Sequence, residues 1–238
     1  MPFYFYGFDP TYLYIVLPCI LLSLWASSNV NSTFRRYSQH HSIRRITGAQ
    51  AAQRVLSANG VSGVKIERVS GNLTDHYDPR SKVLRLSDSV YGQTSVAAVG
   101  VAAHECGHAI QHARGYAPLK LRSTLVPVAN FGSKLAWPLI IFGLFISGES
   151  SRILINAGII AFLGAVVFQL VTLPVEFNAS DRALVMLEDY GILGQDEKRK
   201  AKSVLSAAAM TYVAAAASSI IQLLRLVILF GGRSNDRD

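Results

Sequence analysis

The sequence predicts a mainly α-helical integral membrane protein, with about four transmembrane helices and a small α+β cytoplasmic domain. Three observations predict it. Half of the 238 residues are hydrophobic and only 16% are charged, against roughly 25% in soluble domains. Four segments (11–27, 125–147, 153–173 and 207–230) approach or exceed the ~20 apolar residues that span a bilayer. Between the first and second, the apolar periodicity changes from helical to strand-like and back.

Residues 1–27 read as an N-terminal membrane anchor. Phe3, Tyr4, Phe5 and Tyr6 before the apolar run, and Trp25 near its end, suit the two membrane interfaces. Nothing before the run is basic, so it reads as an uncleaved anchor with its N-terminus outside. Residues 28–120 form the predicted cytoplasmic domain. They hold twelve Lys and Arg against five Asp and Glu, a net of +7 in a chain of net +8. Arg35, Arg36, Arg44, Arg45 and Arg54 place this region inside by the positive-inside rule. The same charge attracts anionic lipid. No interleaving of aromatic and basic residues supports nucleic-acid binding.

Within this domain, residues 28–60 read as a juxtamembrane helix. Ile46, Ala49, Ala52, Val55 and Leu56 keep helical spacing, and Asn59-Gly60 stops it. Strands are expected at 64–69, 73–77 and 83–86, with turns at 70–72 and 78–81. A helix follows from about 95 to 113, with Gly115 beyond it as a stop. Residues 121–173 read as a transmembrane hairpin turning at 148–152. Its short turn returns the chain to the side it left, so 174–203 is cytoplasmic. Lys198, Arg199, Lys200 and Lys202 agree. Residues 204–238 make a C-terminal transmembrane helix and tail. Lys134 and Arg225, inside spans, read as snorkelling or inter-helix hydrogen-bonding groups. Cys19 sits in a span and Cys106 outside one, so no disulfide is expected.

The chemistry centres on His104-Glu105-Cys106-Gly107-His108, an HExxH sequence on the fifth element of the polar domain. Residues i and i+4 share one helix face, so the two imidazoles can bind one zinc ion. Glu105, beside the first ligand, suits a general base for a zinc-activated water. Such a helix makes the domain zincin-like. Cys106 points away from the histidine face and reads as a packed residue. A catalytic zinc has three protein ligands and one open position. His112 continues the series, but lies about 12 Å along the axis from His104. His76, in a strand-like segment, remains a candidate. Glu176 is the stronger one: three residues past the third span, it shares the cytoplasmic side with HExxH. His76, Tyr77 and Tyr212 are candidates for transition-state or substrate contacts. The strand around 82–86 is a candidate edge for an extended substrate.

Asp75-His76-Tyr77-Asp78-Pro79, the stretch around His104–His108, and Leu173-Pro174-Val175-Glu176-Phe177-Asn178-Ala179-Ser180 together resemble the YugP-type neutral zinc metallopeptidases of bacterial membranes. The resemblance extends to Thr211-Tyr212-Val213-Ala214-Ala215. It implies a multi-pass plasma-membrane peptidase with His104 and His108 as zinc ligands and Glu105 as the catalytic residue. More distantly the chain is similar to HtpX-like gluzincins, whose third ligand is the Glu of an ExxxD motif. Here Ser180 stands four residues after Glu176 and Asp181 one later. The expected function is hydrolysis of membrane or juxtamembrane polypeptides at the cytoplasmic interface. Two alternatives stay open: a site-2-type intramembrane protease, and a non-enzymatic membrane scaffold holding a structural zinc.

Overall fold

Small residues on several sides of one helix organise the fold. The computed structural model describes residues 12–231. A π-helical turn (Tyr12–Val16) leads into α1 (Leu17–Ser38), followed by α2 (Gly48–Ala58). Three short strands come next, β1 (Lys65–Val69), β2 (His76–Asp78) and β3 (Val83–Ser87). Then follow α3 (Val96–Ala113), α4 (Ala117–Phe145), α5 (Glu149–Asp189) and α6 (Gln195–Leu226), with a closing π-helical turn (Val227–Gly231). Among the described residues, four helices are long and apolar enough to cross a membrane: Leu13–Ser38, Ala117–Phe145, Glu149–Asp189 and Gln195–Phe230. The helix that carries His104 and His108 is not among them. The expected aromatic belt at Phe3–Tyr6 and the start of the first span lie outside the described residues.

The chain divides into two compact units. One comprises 1–25, 121–172 and 212–238; the other comprises 26–120 and 173–211. In the first, α4 and α5 pack as an antiparallel hairpin. Gly132 lies where a Cβ would stand 2.5 Å from the Ala161 carbonyl, and Gly158 where one would stand 2.8 Å from the Ala136 carbonyl. Absent side chains there let the two backbones approach, as in many membrane helix pairs. Phe131, Phe142, Phe145 and Ile160 are left exposed on the hairpin's outer surface. Lys134 is also exposed, whereas Arg225 is buried.

The second unit is built around α3. Ser95 caps its N-terminus, accepting from the Ala98 amide. Its composition is apolar nearly all round, as befits a helix enclosed by neighbours. Each neighbour meets a small residue. Cys106 Sγ, fully buried, donates to the Ala52 carbonyl of α2 at 3.6 Å. Gly100 faces Ala201 of α6, and Gly107 faces Ala179 of α5, where an added Cβ would lie 2.6 Å from the carbonyl oxygen. Leu84, Leu86, Val55, Ile110, Leu187 and Ile192 complete the core.

The sheet order is β1-β3-β2, with β1 parallel and β2 antiparallel to β3. The strand expected as a substrate edge is therefore the central one, hydrogen-bonded on both sides. Its Leu84 and Leu86 are fully buried, which is what drives it to the middle. The expected strand at 73–77 is shorter and later, because Asp75 leaves the ladder to accept from the Ser87 amide at 2.7 Å and hydroxyl at 2.9 Å. The expected single helix over 28–60 is two helices: α1 ends at Ser38, and Thr47 with Gln50 forms a capping box that starts α2 afresh. The turn between α4 and α5 is tighter than expected, with Gly148 at φ +80°. The 174–203 segment is also more helical than expected. α5 runs through Pro174 to Asp189, and α6 begins at Gln195. Between them Gly191 takes φ +57°, and the buried Glu197 carboxylate accepts from the Gly194 amide at 2.9 Å and the Ile43 amide at 2.7 Å.

Candidate metal centre

On α3, His104 and His108 stand one turn apart with rings edge to face, centroids 4.8 Å apart. Their faces meet α5 at the Gly107–Ala179 crossing, and α5 presents Glu176 there, 2% exposed. Glu176 Oε2 lies 3.3 Å from His104 Nε2 and 3.5 Å from His108 Nε2. All three donor atoms lie within 4.8 Å of one another. Two ligands of a tetrahedral zinc, with bonds of about 2.0–2.1 Å, stand about 3.3 Å apart. The two nitrogen–oxygen separations match that spacing, and two imidazoles with a carboxylate are a zinc donor set.

The far nitrogens of both rings are engaged. His104 Nδ1 meets Ser180 Oγ at 3.1 Å, and His108 Nδ1 meets Gln111 Oε1 at 3.1 Å. Such partners on the remote nitrogen hold a ligand histidine's ring and tautomer, leaving Nε2 for the metal. Ser180, one turn past Glu176 on α5, takes the place that the ExxxD comparison assigns to Asp; Asp181 is exposed. The donor set therefore fits a zinc ion.

Glu105 is nearly buried, 8% exposed. Burial pushes its carboxyl above the usual carboxylate range; His104 and His108 pull it back, and the negative charges of Asp75 and Glu176 push it further up. Asp75 is raised as well by burial, against the two Ser87 hydrogen bonds. For His108, burial alone would lower the pKa. The bond to Glu176 and the field of Glu105 outweigh it, and the net shift is upward.

The remaining sequence candidates are placed as follows. Tyr77 is half-buried, and its hydroxyl meets His112 Nδ1 at 2.9 Å. His112 itself is exposed and outside the donor group, as the helix geometry required. His76 is exposed, with Nδ1 on the Thr74 carbonyl at 2.9 Å and Nε2 facing Arg85 at 3.5 Å; it does not join the donor group. Tyr212 is half-buried on α6 and belongs to the other unit. Sequence reasoning missed Gln111, Asn178 and Asp75. Gln111 was accessible in principle, because a polar residue three positions after a ligand histidine shares its face.

Residues 12–231 match a family model described as "Putative neutral zinc metallopeptidase". The chain is 46% identical over 219 residues to a Bacillus subtilis (strain 168) protein named "Putative membrane protease YugP", a match covering 92% of this chain and 96% of that one. No solved structure matches the chain. With a family match from end to end of the described residues, and a relative this similar, the chain belongs to the YugP-type family of neutral zinc metallopeptidases.

Proposed function

We propose that the protein is a membrane-embedded zinc metallopeptidase of gluzincin type, hydrolysing peptide bonds at the cytoplasmic membrane interface. Residues 28–120 and 174–203 would together form its zincin-like catalytic part, and 1–27, 121–173 and 204–238 its membrane part. The observation that carries this reading is the convergence of His104 Nε2 and His108 Nε2 on one buried oxygen of Glu176. Family membership supports a protease, and four apolar helices support a multi-pass membrane protein, which we assign to the bacterial plasma membrane.

His104, His108 and Glu176 would hold the ion, which when bound supplies a Lewis acid for a carbonyl and for water. Glu105 accepts the proton of the attacking water and returns it to the leaving amine; its raised pKa suits a group that must do both. Ser180 and Gln111 keep the two rings turned. Tyr77 is the leading oxyanion donor, with His112 Nδ1 donating in their 2.9 Å bond so that the tyrosine O–H is left for substrate. His76 and Tyr212 are the secondary candidates for substrate contact. Substrates are membrane or juxtamembrane polypeptides, and Arg35, Arg36, Arg44, Arg45 and Arg54 would meet anionic lipid. The interfacial reading is favoured over an intramembrane site because α3 is not one of the span-length apolar helices.

The test is zinc content per chain in detergent-purified protein, measured with hydrolysis of a membrane-anchored peptide. Wild type should hold about one zinc. Glu176→Ala should lose most of it, whereas Glu105→Gln should keep it and lose about 10²–10⁴-fold in rate. Wild type without zinc would overturn the metallopeptidase reading. Full zinc in Glu176→Ala would move the third ligand elsewhere.

A further inference from the structure

Gln111 is completely buried, yet it carries an amide whose oxygen and nitrogen both need partners. Its Nε2 donates to the Val175 carbonyl at 2.8 Å and to Asn178 Oδ1 at 3.0 Å. Both acceptors belong to α5 and flank Glu176 in the sequence. Its Oε1 faces His108 Nδ1 at 3.1 Å. Asn178 Oδ1 also receives Arg182 Nε at 2.7 Å, and the Arg182 guanidinium lies over the Tyr116 ring at 5.9 Å.

These bonds fix the direction of every donor. A carbonyl and a twice-used amide oxygen can only accept, so the Gln111 nitrogen must face α5. The amide cannot flip without setting its oxygen against two acceptors in a buried place, where an unmade hydrogen bond is costly. Its oxygen is therefore held toward His108. His108 Nδ1 must then donate, which leaves Nε2, the nitrogen that faces Glu176, as the one a metal can take once its proton is lost. Arg182 keeps Asn178 from turning, and so secures Gln111 at one remove.

We propose that Gln111 is a positioning residue of the metal centre. Its one side chain fixes the tautomer of His108 and, at the same time, fastens that ligand to the turn of α5 that presents Glu176. The inference rests on the zinc reading above and deepens it, since two of three ligands would share a single lock. Gln111 is not a catalytic residue, because it touches neither the reacting atoms nor the substrate.

The test uses full-length protein in detergent, measuring zinc affinity by competition with a chelator and the visible absorption of the cobalt-substituted form. Thermal melting of the metal-free protein reports the fold. Gln111→Met preserves volume and removes all three bonds. It should weaken zinc about 10–100-fold and alter the cobalt spectrum, because His108 is free to rotate. Gln111→Glu restores an acceptor for His108 Nδ1 and should recover a measurable part of that loss. If Gln111→Met folds and binds zinc as wild type does, the lock is overturned. A Gln111→Glu variant no better than Gln111→Met overturns the tautomer role. Should Gln111→Met fail to fold, Asn178→Ala removes one of the two acceptors that hold the amide and leaves Val175; zinc should weaken severalfold, and unchanged affinity in that variant also overturns the proposal. Wild type that binds no zinc would instead sink the metal-centre reading itself, so the two failures are told apart.

Discussion

Gly107 and Gly132 answer the same packing demand in two different regions. Each lets one helix press its backbone against another, with an added Cβ falling 2.6 Å and 2.5 Å from a carbonyl oxygen. In the α4–α5 hairpin the close approach joins apolar surfaces. At the α3–α5 crossing the same approach brings two imidazoles to one carboxylate. Equal steric strain should therefore have unequal consequences: stability in one region, stability and metal affinity in the other.

The largest expected break in this comparison is Gly107→Ala. The new methyl should cost about 1–3 kcal/mol of stability and force α3 from α5. Zinc affinity, read by chelator competition, should fall at least about tenfold, as it does when a metal site's supporting structure is disturbed.

Acid should have a similar but graded effect. In the metal-free protein His108 keeps its proton above the ordinary value of 6.5. The His108–Glu176 pair thus stabilises the metal-free fold below about pH 6.5. That contribution is lost as pH rises through the raised value. Zinc must displace this proton, so its affinity should fall about tenfold per pH unit once pH drops below the raised value. Proton release on zinc addition, followed with an indicator dye, checks the sign.

Ser180→Ala sharpens the comparison on a finer scale. Loss of one hydrogen bond to His104 should cost about 1 kcal/mol, and zinc affinity should drop severalfold with the fold intact. The smallest effect on zinc belongs to Gly132→Ala. It should lower the melting temperature, as a clash costing about 1–3 kcal/mol would, and leave zinc affinity unchanged. A Gly132→Ala variant that loses zinc as readily as Gly107→Ala would show that the two seams do not differ.

Much of this was legible in the sequence, and the boundary has physical reasons. His104, His108 and Glu176 were found together because helix periodicity and charge-derived topology are both local quantities. The α3 termini were legible from Ser95 and Gly115. The sheet order was not, because β1 and β3 pair in parallel across an intervening strand, and no local pattern records that crossover. The break at 39–47 was marked by Thr47 and Gln50, a capping box overlooked beneath continuous helical spacing. Ser180 was read only as a missing Asp; its hydroxyl role depends on how α5 is rotated against α3. Gln111 is of the same kind, a polar residue whose meaning appears only when its acceptors on α5 are in place.

Glu176 follows His108 by 68 positions, from 108 to 176, and the whole α4–α5 turn lies between them. A bound ion would therefore act as a removable cross-link between two remote stretches of chain. Closing a flexible loop of that length costs roughly 4 kcal/mol of chain entropy; a hairpin that stays helical meets part of that cost in advance. Chelation would open the clasp without cutting a covalent bond. Protease sensitivity should then emerge first in the 114–116 turn after α3, inside the loop that the ion closes, and returning the metal should suppress it.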